Sequence, residues 1–118
     1  LVTVHPSTVV EEAIKHWDGT KRQIVWFMQP HGTWIGEPRI ITSRSMPIEG
    51  NDEAVVSLLR RGELDLDTFR EAYKGNLRLV LQYVAELVSK IDENKKIVIT
   101  SDHGELLGEY LNSRVLGT

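Results

Sequence analysis

The feature that most restricts the fold of this chain is a long helical periodicity near its middle. Phe69, Tyr73, Leu77, Val80, Val84, Leu87 and Ile91 recur every three or four residues, the spacing that gathers side chains on one side of an α-helix. Thr68 and Glu71 have the spacing of a capping box, in which two side chains satisfy backbone N–H groups of the first turn, so the helix is expected to start at Asp67 or Thr68. It would run for roughly six turns, with Gly75 as the one weak point inside it. Leu79, Leu81, Tyr83 and Val88 broaden the apolar stripe, and a face that wide is expected to pack on a sheet.

Two short runs offer themselves as strands of that sheet. Residues 23–28 (Gln-Ile-Val-Trp-Phe-Met) form a β-branched and aromatic run between the turn residues Asp18-Gly19-Thr20 and Pro30, the pattern of a buried strand. Residues 96–100 (Lys-Ile-Val-Ile-Thr) form a second continuous run, the pattern of a parallel strand covered on both faces by helices.

The remaining segments are shorter. Residues 7–17 place Val10, Ala13, Ile14 and Trp17 at helical spacing behind a Thr8…Glu11 capping box, with Pro6 before the start and Asp18-Gly19 as the stop. Residues 29–51 carry Pro30, Pro38 and Pro47 and are expected to be loop, with a short extended piece at 39–42; a loop this long is usually functional. Residues 52–61 read as a helix with Val55, Val56, Leu58 and Leu59 on its apolar side and Gly62 as its C-cap. Residues 105–111 make a weak helix interrupted by Gly108. The order helix, strand, loop, helix, helix, strand predicts an α/β fold of parallel strands joined by helical crossovers. Residues 1–118 are expected to form one domain. Two strands make a marginal sheet, so the segment is expected to belong to a larger one and to expose apolar surface through which copies could self-associate.

Composition excludes several classes of function. Charged residues are 26% and apolar residues 41% of the 118, a mixture typical of globular proteins. The net charge of −3, with basic residues clustered only at Arg60-Arg61 and Lys95-Lys96, gives no electrostatic footprint for nucleic acid. No apolar stretch approaches the ~20 residues of a membrane span. The absence of cysteine rules out disulfides, thiolate metal sites and a cysteine nucleophile, and leaves the cellular compartment open.

Candidate chemistry sits where each expected strand ends, the edge at which loops of parallel sheets converge on ligands. Residues 24–28 run into Gln29-Pro30-His31-Gly32, and residues 97–100 run into Ser101-Asp102-His103-Gly104-Glu105. Asp102 and His103 offer a carboxylate oxygen and an imidazole nitrogen at a turn that Gly104 lets bend, so both could face one cation. A bare Asp-His pair is more often a helix cap beside an exposed histidine; its place after an apolar run favours a site. His31 is suited to donate to an anionic oxygen, because imidazole can be charged near neutral pH. His5 and His16 lack such context and read as solvent-facing.

The segment from Lys96 to Tyr110, with Ser101-Asp102-His103-Gly104-Glu105 followed by Leu107-Gly108-Glu109, resembles the late metal-binding motif of the sulfatase branch of the alkaline phosphatase superfamily. Residues 24–32 resemble that family's earlier Pro-His turn, and Tyr73-Lys74-Gly75-Asn76-Leu77 its helix before the metal-binding strand. The resemblance implies an alkaline-phosphatase-like three-layer fold and hydrolysis of sulfate or phosphate esters. It makes Asp102 and His103 ligands of a divalent ion (zinc, manganese or calcium) and His31 a contact to the substrate anion. The family's nucleophile and its early acidic ligand have no counterpart here. The chain is therefore expected to be part of a catalytic domain without its N-terminal nucleophile half, and inactive alone. The competing expectation is a non-catalytic binding or interaction domain derived from the same fold.

Overall fold

The computed structural model describes residues 3–39, 52–91, 94–105 and 107. Three helices carry the fold: α1 (Pro6–Lys15), α2 (Asp52–Arg60) and α3 (Leu66–Ser89).

All three helices fall where the periodicity places them; α2 begins at Asp52 as expected, while the starts of α1 and α3 are set by residues other than those expected. In α1, Pro6 occupies the first turn, where its missing N–H costs nothing, and the N-cap is His5, whose Nδ1 accepts from the backbone N–H of Ser7 at 3.2 Å. The Thr8…Glu11 box is not the cap. In α3 the N-cap is Asp65, whose carboxylate accepts from the backbone N–H of Thr68 at 2.8 Å and from the Thr68 hydroxyl. Thr68 therefore joins the cap as a donor, and the cap itself lies three residues before the expected Thr68. The end of α2 follows expectation: Gly62 takes φ +68°, and its N–H donates to Leu59 O at 3.1 Å. A left-handed residue here lets the chain reverse while closing the last turn.

Helix α3 is the spine. Its buried positions are Phe69, Ala72, Gly75, Asn76, Val80 and Leu87, a strip at three- and four-residue intervals in which Asn76 takes the place expected of Leu77; Leu77 itself faces outward. Its N-terminal half packs against Trp34, Val55 and Leu64, with Trp34 edge-on to Phe69 at a centroid distance of 5.4 Å, a geometry worth about 0.5–1.5 kcal/mol beyond burial. Its C-terminal half packs through Leu87, Tyr83 and Ile91 against Val10 and Ala13 of α1 and against Val25 and Phe27. His5, expected to face solvent, stands edge-on to Tyr83 at 5.3 Å.

The expected parallel-sheet α/β architecture is overturned, and with it the alkaline-phosphatase-like three-layer arrangement. Among the described residues there is no strand, and neither 23–28 nor 96–100 enters a ladder. In 23–28, Val25 and Phe27 turn inward while Ile24 is 89% and Trp26 64% exposed, so one side of the run is covered and the other is not. Val98 and Ile99 are 74% and 64% exposed, the opposite of a strand covered on both faces. A β-branched run becomes a strand only when a neighbour pairs its backbone, and here the broad face of α3 is occupied by α1, α2 and the Trp34 loop instead. The extended piece expected at 39–42 and the weak helix at 105–111 lie largely outside the described residues. No helix among the described residues is long and apolar enough to cross a membrane.

Three carboxylates carry a pH dependence. Hydrogen bonds from Thr20 hold Asp18 below its ordinary range, those from Thr68 hold Asp65 below it, and the Lys74 ammonium, by hydrogen bond and then by charge, does the same for Glu71. A carboxyl with a folded pKa below its unfolded value adds stability above the unfolded pKa, and loses it as pH falls through the folded one. Denaturant midpoints are therefore expected to fall once pH drops below about 4, the ordinary carboxylate range. Asp65→Asn, which keeps a capping oxygen that does not titrate, should show a shallower acid decline; an identical one would remove Asp65 from this account.

Candidate functional site

The site is assembled on α3 from two segments far apart in sequence. The first is the turn after residue 28. The N–H of His31 closes onto Met28 O at 3.1 Å, and the turn leads through Thr33 and Trp34 to Gly36. It is fastened to the helix by Asn76, which is fully buried. The Asn76 Oδ1 accepts from the N–H groups of Ile35 and Gly36, each at 2.9 Å. Its Nδ2 donates to the carbonyls of Thr33 at 3.1 Å, His31 at 3.2 Å and Pro30 at 3.4 Å. One amide thus uses both of its ends on a single loop, as a buried amide must. Beside it, Gly36 and Gly75 meet backbone to backbone: a Cβ built on Gly36 would sit 2.7 Å from Asn76 N, and one on Gly75 2.8 Å from the Glu37 carbonyl carbon. Gly36 is required by the backbone of Gly75 and Asn76, and Gly75 by the backbone of Glu37.

The second segment is 101–105 with Leu107. It is laid on α3 by Arg70, whose Nε donates to Leu107 O at 2.8 Å, and by Leu107 itself, which packs on the Trp34 core. Glu105 Oε1 stands 2.9 Å from His31 Nδ1, the two side chains 21% and 35% exposed. The two turns are thereby joined across 74 positions of sequence. Tyr73 faces the same place: burial first, and then the Glu105 carboxylate, push its phenol above the usual range, so it remains a protonated O–H.

Asp102 and His103 are exposed. His103 N–H donates to Asp102 Oδ1 at 3.0 Å, and His103 Nδ1 lies 3.0 Å from Gly104 O. A ring that donates Nδ1–H to a carbonyl carries its lone pair on Nε2, and Nε2 is the atom 3.8 Å from Asp102 Oδ2. Two donors each about 2.1 Å from one cation lie roughly 3–3.5 Å apart, somewhat closer than this pair. The donor types suit a divalent ion; their number does not complete a coordination shell, since no group of three or more His, Cys, Asp or Glu positioned for a metal occurs among the described residues.

The structure thus brings His31 to the segment that carries Asp102 and His103, and does so through Glu105. The sequence reading missed Glu105, Tyr73, Arg70 and Asn76 as parts of the site. One local signal did exist: Gly75-Asn76 sets two poor helix formers side by side inside an otherwise strong helix, which is unfavourable unless the pair has a tertiary task. A cleft of about 430 Å³ between α1 and residues 23–26 is lined by Val9, Glu12, His16 and Trp26 and includes none of the candidate residues. Comparison with known protein families, with curated proteins and with solved structures finds no match.

Proposed function

We propose that this chain supplies part of the site of a metal-dependent hydrolase of sulfate or phosphate esters. Asp102 and His103 hold a divalent ion, and His31 contacts the anionic group of the ester. The reading concerns the site and makes no use of a parallel sheet. The single observation that carries it is the 2.9 Å contact between His31 and Glu105. That contact draws the Pro-His turn and the Asp-His turn together, although nothing in their separate sequences requires them to meet.

A divalent ion bound there would act as a Lewis acid on the ester oxygen. What the chain's own residues do is narrower. Asp102 supplies a hard carboxylate oxygen. The carbonyl of Gly104 fixes the His103 ring so that its Nε2 carries the lone pair. His31 presents an imidazole nitrogen to the anion. The nucleophile is not among these residues, so hydrolysis by this chain alone is expected to stay at background.

Binding is the decisive measurement. Calorimetric titration with manganese, zinc or calcium is expected to give weak affinity, as two protein ligands imply. Asp102→Ala should weaken the preferred ion by tenfold or more. Both side chains are exposed, so the substitution should leave the fold intact and the comparison clean. Equal affinity in the native and Asp102→Ala proteins would remove the metal site, and the hydrolase reading with it.

A further inference from the structure

The geometry points to Glu105 as the positioning residue of His31: its carboxylate holds the proton on Nδ1 and so fixes Nε2 as the nitrogen that meets a ligand. That a ligand is an ester anion rests on the hydrolase reading; the pairing itself does not.

An ionised carboxylate accepts hydrogen bonds and donates none, so a 2.9 Å contact between Glu105 Oε1 and His31 Nδ1 places the hydrogen on Nδ1. A neutral histidine in water favours the other tautomer, with the proton on Nε2, so the contact reverses the ring's ordinary preference. In the neutral ring the lone pair is then on Nε2, and if the ring gains a second proton it gains it there. In both states Nε2 is the working atom. Orientation of an imidazole by a carboxylate on its far nitrogen is the general means by which a histidine is readied for a ligand.

Neither partner is left to find the other. His31 is gripped through its backbone, its N–H on Met28 O and its carbonyl on Asn76. Glu105 is set by its own segment, in which Arg70 binds the carbonyl two residues further on. Arg70 and Asn76 both belong to α3, so one helix fixes both halves of the pair. The partial burial of both side chains protects the contact from water, which would otherwise compete for the carboxylate.

The test is the tautomer of His31, read from two-bond ¹H–¹⁵N couplings of histidine-labelled protein in mildly alkaline buffer. Nδ1 is expected to be protonated in the native chain. Glu105→Gln, whose amide oxygen can accept the same hydrogen, should keep it there, whereas Glu105→Ala should move it to Nε2. A native ring bare at Nδ1 would overturn the assignment, as would an Nδ1 proton that survives Glu105→Ala in folded protein. If the alanine variant does not fold, the native and glutamine spectra decide. Titration of the native chain with metal alone and with inorganic phosphate tests the hydrolase reading separately. Failure to bind either would end that reading and leave the tautomer result standing. Where phosphate binds, the ring donates to it from Nε2 in its doubly protonated form while Nδ1–H stays on Glu105. In mildly acidic buffer Glu105→Ala should therefore weaken binding by about tenfold, and an unchanged affinity would show that Glu105 does not ready His31 for an anion.

Discussion

Replacing Asn76 by leucine is expected to lower the stability of this protein by about 3 kcal/mol or more. Leucine keeps the branching at Cγ although it is larger, suits a helix better, and on hydrophobic pattern alone belongs at a buried position of α3. The penalty arises because Asn76 is fully buried and its amide answers a whole loop. Without Oδ1, the N–H groups of Ile35 and Gly36 lose their acceptor in a region closed to water, and each such loss costs about 1–3 kcal/mol. Asn76→Asp separates the two ends of the amide. It keeps an acceptor for those N–H groups but turns a carboxylate oxygen towards the carbonyls of Pro30, His31 and Thr33, so it too should be strongly destabilising. Urea unfolding checks both: the midpoint should fall with little change in slope. A leucine variant within 1 kcal/mol of native would mean that Asn76 does not hold the loop. For a domain whose whole stability is of order 5–15 kcal/mol, this loss would leave the His31 turn the first part to detach.

What could be read in the sequence divides along a physical line. Features decided within one or two turns of chain were legible: the Gly62 stop, the apolar strip from Phe69 to Leu87, the face of α1 bearing Val10 and Ala13. Even the misplaced cap of α3 was a local contest, in which Asp65 and Thr68 are both good capping residues and the earlier one won. Features decided by partners were not legible. The run 96–100 has the composition of a strand, but composition cannot supply the neighbouring backbone that a ladder needs, and its side chains are exposed. In 23–28 the sequence could not say that only Val25 and Phe27 would find cover. The same holds at the site. His31, Asp102 and His103 stand out as residue types in turns, whereas Glu105 becomes informative only through a histidine 74 positions away.

Gly75→Ala is the second large effect, and it runs against the local rule. In an isolated helix the change would stabilise by about 1 kcal/mol, since glycine is the poorest helix former after proline. In this protein it is expected to destabilise by about 2 kcal/mol, because the added methyl enters space held by backbone, which cannot rotate out of the way. The built Cβ lies 2.8 Å from the Glu37 carbonyl carbon and 3.2 Å from Glu37 N, so the strand of loop at Gly36-Glu37 must lift from the helix. Lifting it stretches the Asn76 hydrogen bonds to Ile35 and Gly36, which are anchored one residue away. The displacement then passes along the same loop to His31. Gly36→Ala approaches the contact from the other side and should behave alike, and the double variant should cost less than the sum of the two, since the first methyl already opens the gap. Lys74→Ala, on the exposed side of the same turn, is the control and should stay within about 0.5 kcal/mol of native. Thermal or urea unfolding gives the stabilities, and the His31 ring resonances report whether the turn has moved. A stabilised Gly75→Ala protein with an unshifted His31 would show that the loop does not rest on α3 at this point.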